Sequence, residues 1–338
     1  MTSRQRLLTA LLGATLTLGA CASVLAASEE RNYLLATAST GGTFYPVGVA
    51  IATLVKIKVQ PTENIGLSAI NSAGSAENVK LLGSNEAQFA ILQGLYGHYA
   101  WNGVGPVQEP QKQLRSVSML WQNVEQFLVR AEHAKTGTIA DLVELKGRPV
   151  ALGKKNSGTL GSNRLLLKNL ALDIDQDFEL VYGGYGPSAD ALQNGRVEAI
   201  STPAGVPTGA VTRVLAAMGD RVRLLEFSDE QAARADGGMG LWTRYVIPAG
   251  SYPGQNHDIR TIAQPNFLAV RADVDEDAVY RITKAIYENL TFLNGIHKAT
   301  QAMALDKAVA GLPMPLHPGA ARYYREAGLE IPQRLLTE

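Results

Sequence analysis

Behind a leading apolar stretch, the chain alternates short apolar runs with amphipathic segments, a pattern that predicts strands followed by helices. "YLLATAS" reads as a strand, and "YPVGVAIATLVKIKV" as the helix after it, opened near Pro46. "NIGLSAINS" is a strand, "SAENVKLLGSN" a helix and "AQFAILQG" a third strand, with "LRSVSML" and "VEQFLVRA" as two more. After "DLVELKGR" the order repeats. Strand "PVALG", helix "GSNRLLLKNLAL", strand "FELVYGG" and helix "SADALQNG" lead to "VEAISTPAG" and "RVRLLEF". A final strand-like run, "TIAQPNFLAVRADV", precedes the long helical "DAVYRITKAIYENLTFLNG". This βαβα order, met twice, predicts an α/β protein of mostly parallel sheets with helices on both faces. The simplest arrangement is two α/β lobes, one spanning 31–123 plus 270–338 and the other 124–269. The extended runs "VEQFLVRA" and "NFLAVRAD" are then expected side by side as a hinge.

In open α/β sheets ligands sit beyond the carboxyl ends of strands, at the N-termini of the helices that follow. "STGGTFYP" occupies such a place. Its glycines let the backbone turn tightly and leave peptide N–H groups free, while Ser39, Thr40, Thr43 and Tyr45 add polar side chains. A plain helix start would need only one capping hydroxyl, not the whole cluster. "GKKNSGTLGSN", Gly153 to Asn163, has the same logic after "PVALG". Its G-x-x-x-x-G spacing is that of a phosphate loop, but Thr159 stands where the lysine is needed, which argues against ATP or GTP. What remains, around Ser157, Gly158 and Thr159, suits a smaller anion such as a carboxylate, unless Ser157 or Thr159 is only an N-cap. Ser75 in "NSAGSAEN" and Gln93 in "LQGLYGHY" are further candidates. Lys154 and Lys155 make the second loop basic and are candidate charge partners, or else simply solvated lysines.

The first residues read as a processing signal. Arg4 and Arg6 precede twelve apolar or small residues from Leu7 to Leu18, too few to span a bilayer but suited to a secretory leader of residues 1–26. "VLA", Val24 to Ala26, offers ordinary cleavage, and "LGAC", residues 18–21, offers a lipobox. Cys21 is thus either discarded with the leader or lipidated. It is the single cysteine, so no intramolecular disulfide forms, and the mature chain is expected in the periplasm. Lys+Arg and Asp+Glu both number 31, which removes the charge excess that a nucleic-acid partner would call for. No G-x-S-x-G elbow, H-E-x-x-H helix or CxxC pair is present, and the five histidines lack metal-ligand spacing. Neither catalysis, a metal nor a cofactor is expected.

The ordered set "TGGTFYPVG", "SAENVKLL", "AILQ", "NSGT", "ADALQNGRVEA", "AGVPTGAV", "IPAGSYPGQ", "ADVDEDAVYRITKAIYEN" and "GLPMPLHPGAARYYREAGL" resembles the TAXI class of solute receptors of tripartite ATP-independent periplasmic (TRAP) transporters. The resemblance runs from about Asn32 to Leu329. It implies a type II periplasmic-binding-protein fold with a hinge and ligand cleft. It also implies a monomeric receptor, a multi-spanning permease driven by an ion gradient, and ligand contacts from Ser39, Thr40, Thr43, Tyr45, Ser75, Gln93, Ser157, Gly158 and Thr159. The chain departs from the family pattern in opening its first loop "AST", and in Lys154 and Lys155, where small residues or Pro are usual. The donor loops carry no Asp or Glu before Glu77, which favours a C4–C5 dicarboxylate of the 2-oxoglutarate kind. Glutamate or glutamine is the alternative, with Glu77 or backbone carbonyls taking the ammonium. A sensor subunit for a membrane signalling kinase, or an exported enzyme on the same scaffold, are the other function classes.

Overall fold

A computed structural model describes residues 30–336, so the leader and Cys21 lie outside the described residues. The chain begins with β1 (Arg31–Ala36), α1 (Phe44–Lys58), α2 (Gln60–Glu63), β2 (Ile65–Ile70), α3 (Ser75–Gly83), β3 (Phe89–Gln93) and α4 (Gly94–Asn102). Two strands, β4 (Leu114–Val124) and β5 (Phe127–Arg130), follow. The second set is β6 (Pro149–Ala151), α5 (Gly158–Asn169), α6 (Ile174–Asp177), β7 (Glu179–Leu180), α7 (Tyr185–Gln193), β8 (Ala199–Ser201), α8 (Gly209–Met218), β9 (Val222–Leu224) and α9 (Asp229–Asp236). The remainder is β10 (Thr243–Ile247), β11 (Ile259–Arg271), α10 (Glu276–Glu288), α11 (Leu290–Ile296) and α12 (Pro318–Glu326).

These strands form two sheets. One has the order β10-β11-β3-β1-β2, with β4 also on β11; the other runs β7-β6-β8-β5-β9. Within each, the βαβ units are parallel (β1 with β2 and β3, β6 with β7 and β8), as helical crossovers require. All five residues of β3 are buried, as expected of a strand covered by helices on both faces. The polar Asn78 completes the carboxyl edge of this sheet. Its Nδ2 donates to Thr37 O at 2.8 Å and Ile91 O at 2.9 Å, tying the ends of two strands together, and Thr37 O also accepts from Ser72 Oγ at 2.9 Å.

One hydrophobic core draws on residues 35–121 and 267–335, with Leu35, Ile51, Phe89 and Phe267 fully buried. Helices α10 and α12 close it through the interlocked rings of Tyr280, Tyr287, Tyr323 and Tyr324, with centroids 5.7–6.2 Å apart. Two further cores hold Leu95 and residues 124–263. The strands that link them are paired differently from the expectation. "NFLAVR" in β11 lies antiparallel to β4, from Leu114↔Arg271 to Val124↔Ala263, whereas "VEQFLVRA" supplies β5, which pairs with β8 and β9 of the other sheet. β4 is long enough, at 11 residues, to flank most of the 13-residue β11 and leave only its continuation, β5, for the second sheet. Strand β10, placed by sequence with residues 124–269, is hydrogen-bonded to β11 in the first sheet.

Candidate functional site

Between the two sheets lies a cavity with about 470 Å³ of atom-free space, open solvent included. Four loops at strand ends converge on it: Ala38–Phe44, Ala73–Ser75, Lys154–Thr159 and Gly183–Tyr185, joined by Gln93, Asn123, Pro203 and Ala204. Of the residues singled out by sequence, Ser39, Thr43, Ser75, Gln93, Lys154, Ser157, Gly158 and Thr159 line it.

Thr40, Tyr45 and Lys155 do not line the cavity. Thr40 is exposed at the tip of the first loop. Helix α1 starts at Phe44, and Tyr45 is turned off the cavity by the roughly 100° step of a helix. The ammonium of Lys155 lies 4.8 Å from the centroid of the Tyr182 ring.

Glycines let the loops meet. A Cβ on Gly158 would stand 2.2 Å from Gln93 Oε1 and 2.9 Å from Ser75 Cβ, and one on Gly41 would stand 2.8 Å from Gly186 N. Two hydroxyls expected to serve a ligand are already engaged. Thr43 Oγ1 donates to Gly205 O at 3.3 Å and accepts from Gly205 N at 3.1 Å, tying the first loop to the segment after β8. Tyr185 donates its single hydroxyl proton to Pro203 O at 2.6 Å, so at 2.7 Å it can only accept from Thr159 Oγ1. The Thr159 proton is thereby spent. Burial pushes the Tyr185 phenol well above its ordinary range, which keeps this chain protonated.

The groups with capacity to spare are mainly donors. Ser157 caps α5, accepting from Leu160 N at 3.1 Å, and keeps its own proton. Ser75 Oγ accepts from Gln93 N at 3.1 Å and likewise keeps its proton. Among the described residues, the N–H groups of Gly158 and Thr159 meet no acceptor, as expected of the first helical turn. Gln93 Oε1 accepts from Ser162 Oγ at 3.2 Å, which turns the amide nitrogen to the other side. Among the described residues, no Asp or Glu lines the cavity, and Lys154 is the one charged residue that does. Glu77 is held at its own helix start, accepting from Ala73 N. Glu125, just past β4, is fully buried, with Oε1 accepting from Trp242 Nε1 at 3.1 Å. Burial pushes its carboxyl up to about 8 against the hydrogen bonds of Trp242 and Gln264, so it is neutral at pH 7.

Sequence reasoning missed Tyr185 and Asn123. Tyr185 lies within "YGGYG", Tyr182 to Gly186, a third strand–glycine–helix loop of the kind recognised twice, so the signal was present. Asn123 follows Gln122 near the end of β4, and a polar residue in a mostly buried strand was its signal. Elsewhere, His133 Nε2 lies 3.1 Å from Glu198 and 3.6 Å from Glu132, a proximity the scattered histidines had not suggested. Arg130, 3.5 Å from Glu198, makes this a mixed ion-pair cluster.

The chain belongs to the NMT1-like family, which it matches over residues 35–328. Its fold is similar to that of a protein from Bordetella bronchiseptica RB50, at 12% identity over 90% of each chain and a TM-score of 0.51. It is also similar to MatC from Rhodopseudomonas palustris with bound malate, at 14% identity over 88% of this chain and 96% of that one, TM-score 0.50. The alkanesulfonate-binding protein SsuA from Xanthomonas axonopodis pv. citri bound to MOPS matches at 16% identity over 92% and 96%, TM-score 0.47. The architecture is the two-lobed α/β fold of type II periplasmic binding proteins. No helix among the described residues is long and apolar enough to cross a membrane.

Proposed function

We propose that the chain is an extracytoplasmic solute receptor of the TAXI class, which captures a small C4–C5 dicarboxylate of the 2-oxoglutarate kind and delivers it to an ion-gradient-driven TRAP permease. The observation that carries this reading is the lining of the cavity: donors ring it, one lysine reaches it, and none of the described carboxylates lines it. An ammonium would need acceptors, and the carbonyl of Pro203 is already engaged by Tyr185. A carboxylate suits the free N–H groups at the start of α5, where the helix dipole also favours negative charge. MatC, on a similar fold, holds malate, itself a C4 dicarboxylate. Residues 31–123 plus 270–338 and 124–269 act as the two bodies, with the paired strands β4 and β11 carrying the chain between them. Binding rather than catalysis fits a cavity that offers donors but no paired nucleophile and base. Delivery to a permease places the mature chain in the periplasm, free or anchored through Cys21.

Mass spectrometry of the small molecule released by mild denaturation of the purified protein tests the substrate. A C4–C5 acid with two carboxyl groups is expected. Glutamate or glutamine in its place contradicts the dicarboxylate.

A further inference from the structure

We infer that Asn123 determines specificity at the hinge end of the cleft, its side-chain amide donating to the second carboxylate of the ligand, with Asn266 as its positioning residue. The inference rests on the dicarboxylate reading of the same cavity and adds the group that would read the far end of the ligand. Asn123 lines the cavity and is fully buried near the end of β4, one residue before that strand gives way to β5. Its Oδ1 accepts from Asn266 Nδ2 of β11 at 3.3 Å. Its Nδ2 has no partner among the described residues. A buried amide donor left unpaired is costly, and such groups in native proteins have a use. The side chain is held by its oxygen from a neighbouring strand, so the nitrogen is the atom left for a ligand. Being on the linking strand, it keeps its place while the donor loops of the two sides close on the rest of the ligand.

The two amides could also turn over together, so that Asn123 donated to Asn266 and kept Oδ1 for a ligand ammonium. Replacement by the isosteric acid separates the two cases, because Asp offers only acceptors. Calorimetric titration of the mature chain with 2-oxoglutarate, 2-oxopentanoate (the same chain without the second carboxylate) and glutamate is the test. For Asn123→Ala, 2-oxoglutarate affinity is expected to fall about tenfold to hundredfold, while 2-oxopentanoate binds as it does to the unsubstituted chain. Asn123→Asp should weaken 2-oxoglutarate further, with no gain for glutamate. Asn266→Ala should give a smaller loss in the same direction. Unchanged 2-oxoglutarate affinity in both Asn123 variants overturns the inference while the cavity reading stands, and so does tighter glutamate binding by Asn123→Asp. If the unsubstituted chain binds glutamate and no dicarboxylate, the cavity reading fails and the role of Asn123 fails with it. Should the variants not fold, the side-chain amide resonance of Asn123 in the unsubstituted protein serves instead. It is expected to shift on addition of 2-oxoglutarate, and an unmoved resonance overturns the inference.

Discussion

What a single side chain offers a ligand depends on where its protons already go. Thr43 and Thr159 are legible in the sequence as hydroxyls on donor loops, and both stand at the cavity. Their proton accounting was not legible, because it runs through Gly205, Tyr185 and Pro203, more than 25 residues away along the chain. Thr43 therefore ties the two sides together, and on the proposed reading Thr159 offers a ligand its backbone N–H rather than its hydroxyl. Glu125 shows the same dependence on context. It reads as one polar residue in a strand region, yet its carboxyl is pushed from 4.5 up to about 8 by burial. The sign of its effect on stability follows. Below about pH 4.5 the group is protonated in both folded and unfolded chains, and pH has no leverage through it. Between 4.5 and 8 the unfolded chain releases the proton while the fold retains it, so stability falls as pH rises. Above about 8 both states are ionised and the penalty is constant. Glu125→Gln, which keeps an acceptor for Trp242, should leave the melting temperature nearly unchanged at pH 4.5 and raise it at pH 8. Equal shifts at the two pH values in thermal unfolding would contradict the neutral carboxyl.

At the scale of elements, the strand–helix alternation was readable because each β1–α1 type unit carries its own periodicity and its own glycine-rich turn. Strand pairing was not. An apolar run such as β11 states that it is buried but not which neighbour it takes, and the choice of β4 over β5 depends on the length of the linking strand. Short strands were also hard to delimit: β7 has two residues within the longer run "FELVYGG". The start of α5 lies at Gly158, three residues before the helix read from "GSNRLLLKNLAL", and Ser157 at the cap and Gly158 after it serve different needs. Ser157 completes the helix, whereas Gly158 leaves space for Gln93 and Ser75 from the opposite side. Gly158→Ala should therefore obstruct the approach of the two sides without disturbing either core. An overpacked contact costs roughly 1–3 kcal/mol, so ligand affinity should fall about tenfold to hundredfold, with the melting temperature of the ligand-free protein kept within about 2 °C. A large loss of thermal stability would mean that the glycine serves the fold of its own lobe.

For the molecule as a whole, a receptor needs a site that two bodies complete together. Thr43 with Gly205, and Glu77 N with Asn156 O at 3.1 Å, bridge the cavity by direct hydrogen bonds, so contacts on both rims can respond to what lies between them. Such coupling lets a ligand favour one arrangement of the lobes by its differential affinity, and a permease can read that arrangement. On the proposed reading, the donors around the cavity favour an anionic ligand. The most direct measurement is a thermal-shift panel on the mature, unsubstituted chain with 2-oxoglutarate, succinate, malate, glutamate and glutamine. A ligand at 100 times its dissociation constant stabilises by about 2.7 kcal/mol, a shift of several degrees. Stabilisation by one or more of the three dicarboxylates, with none from glutamate or glutamine, is the expected result. Stabilisation by glutamate or glutamine, with none from any dicarboxylate, would contradict it.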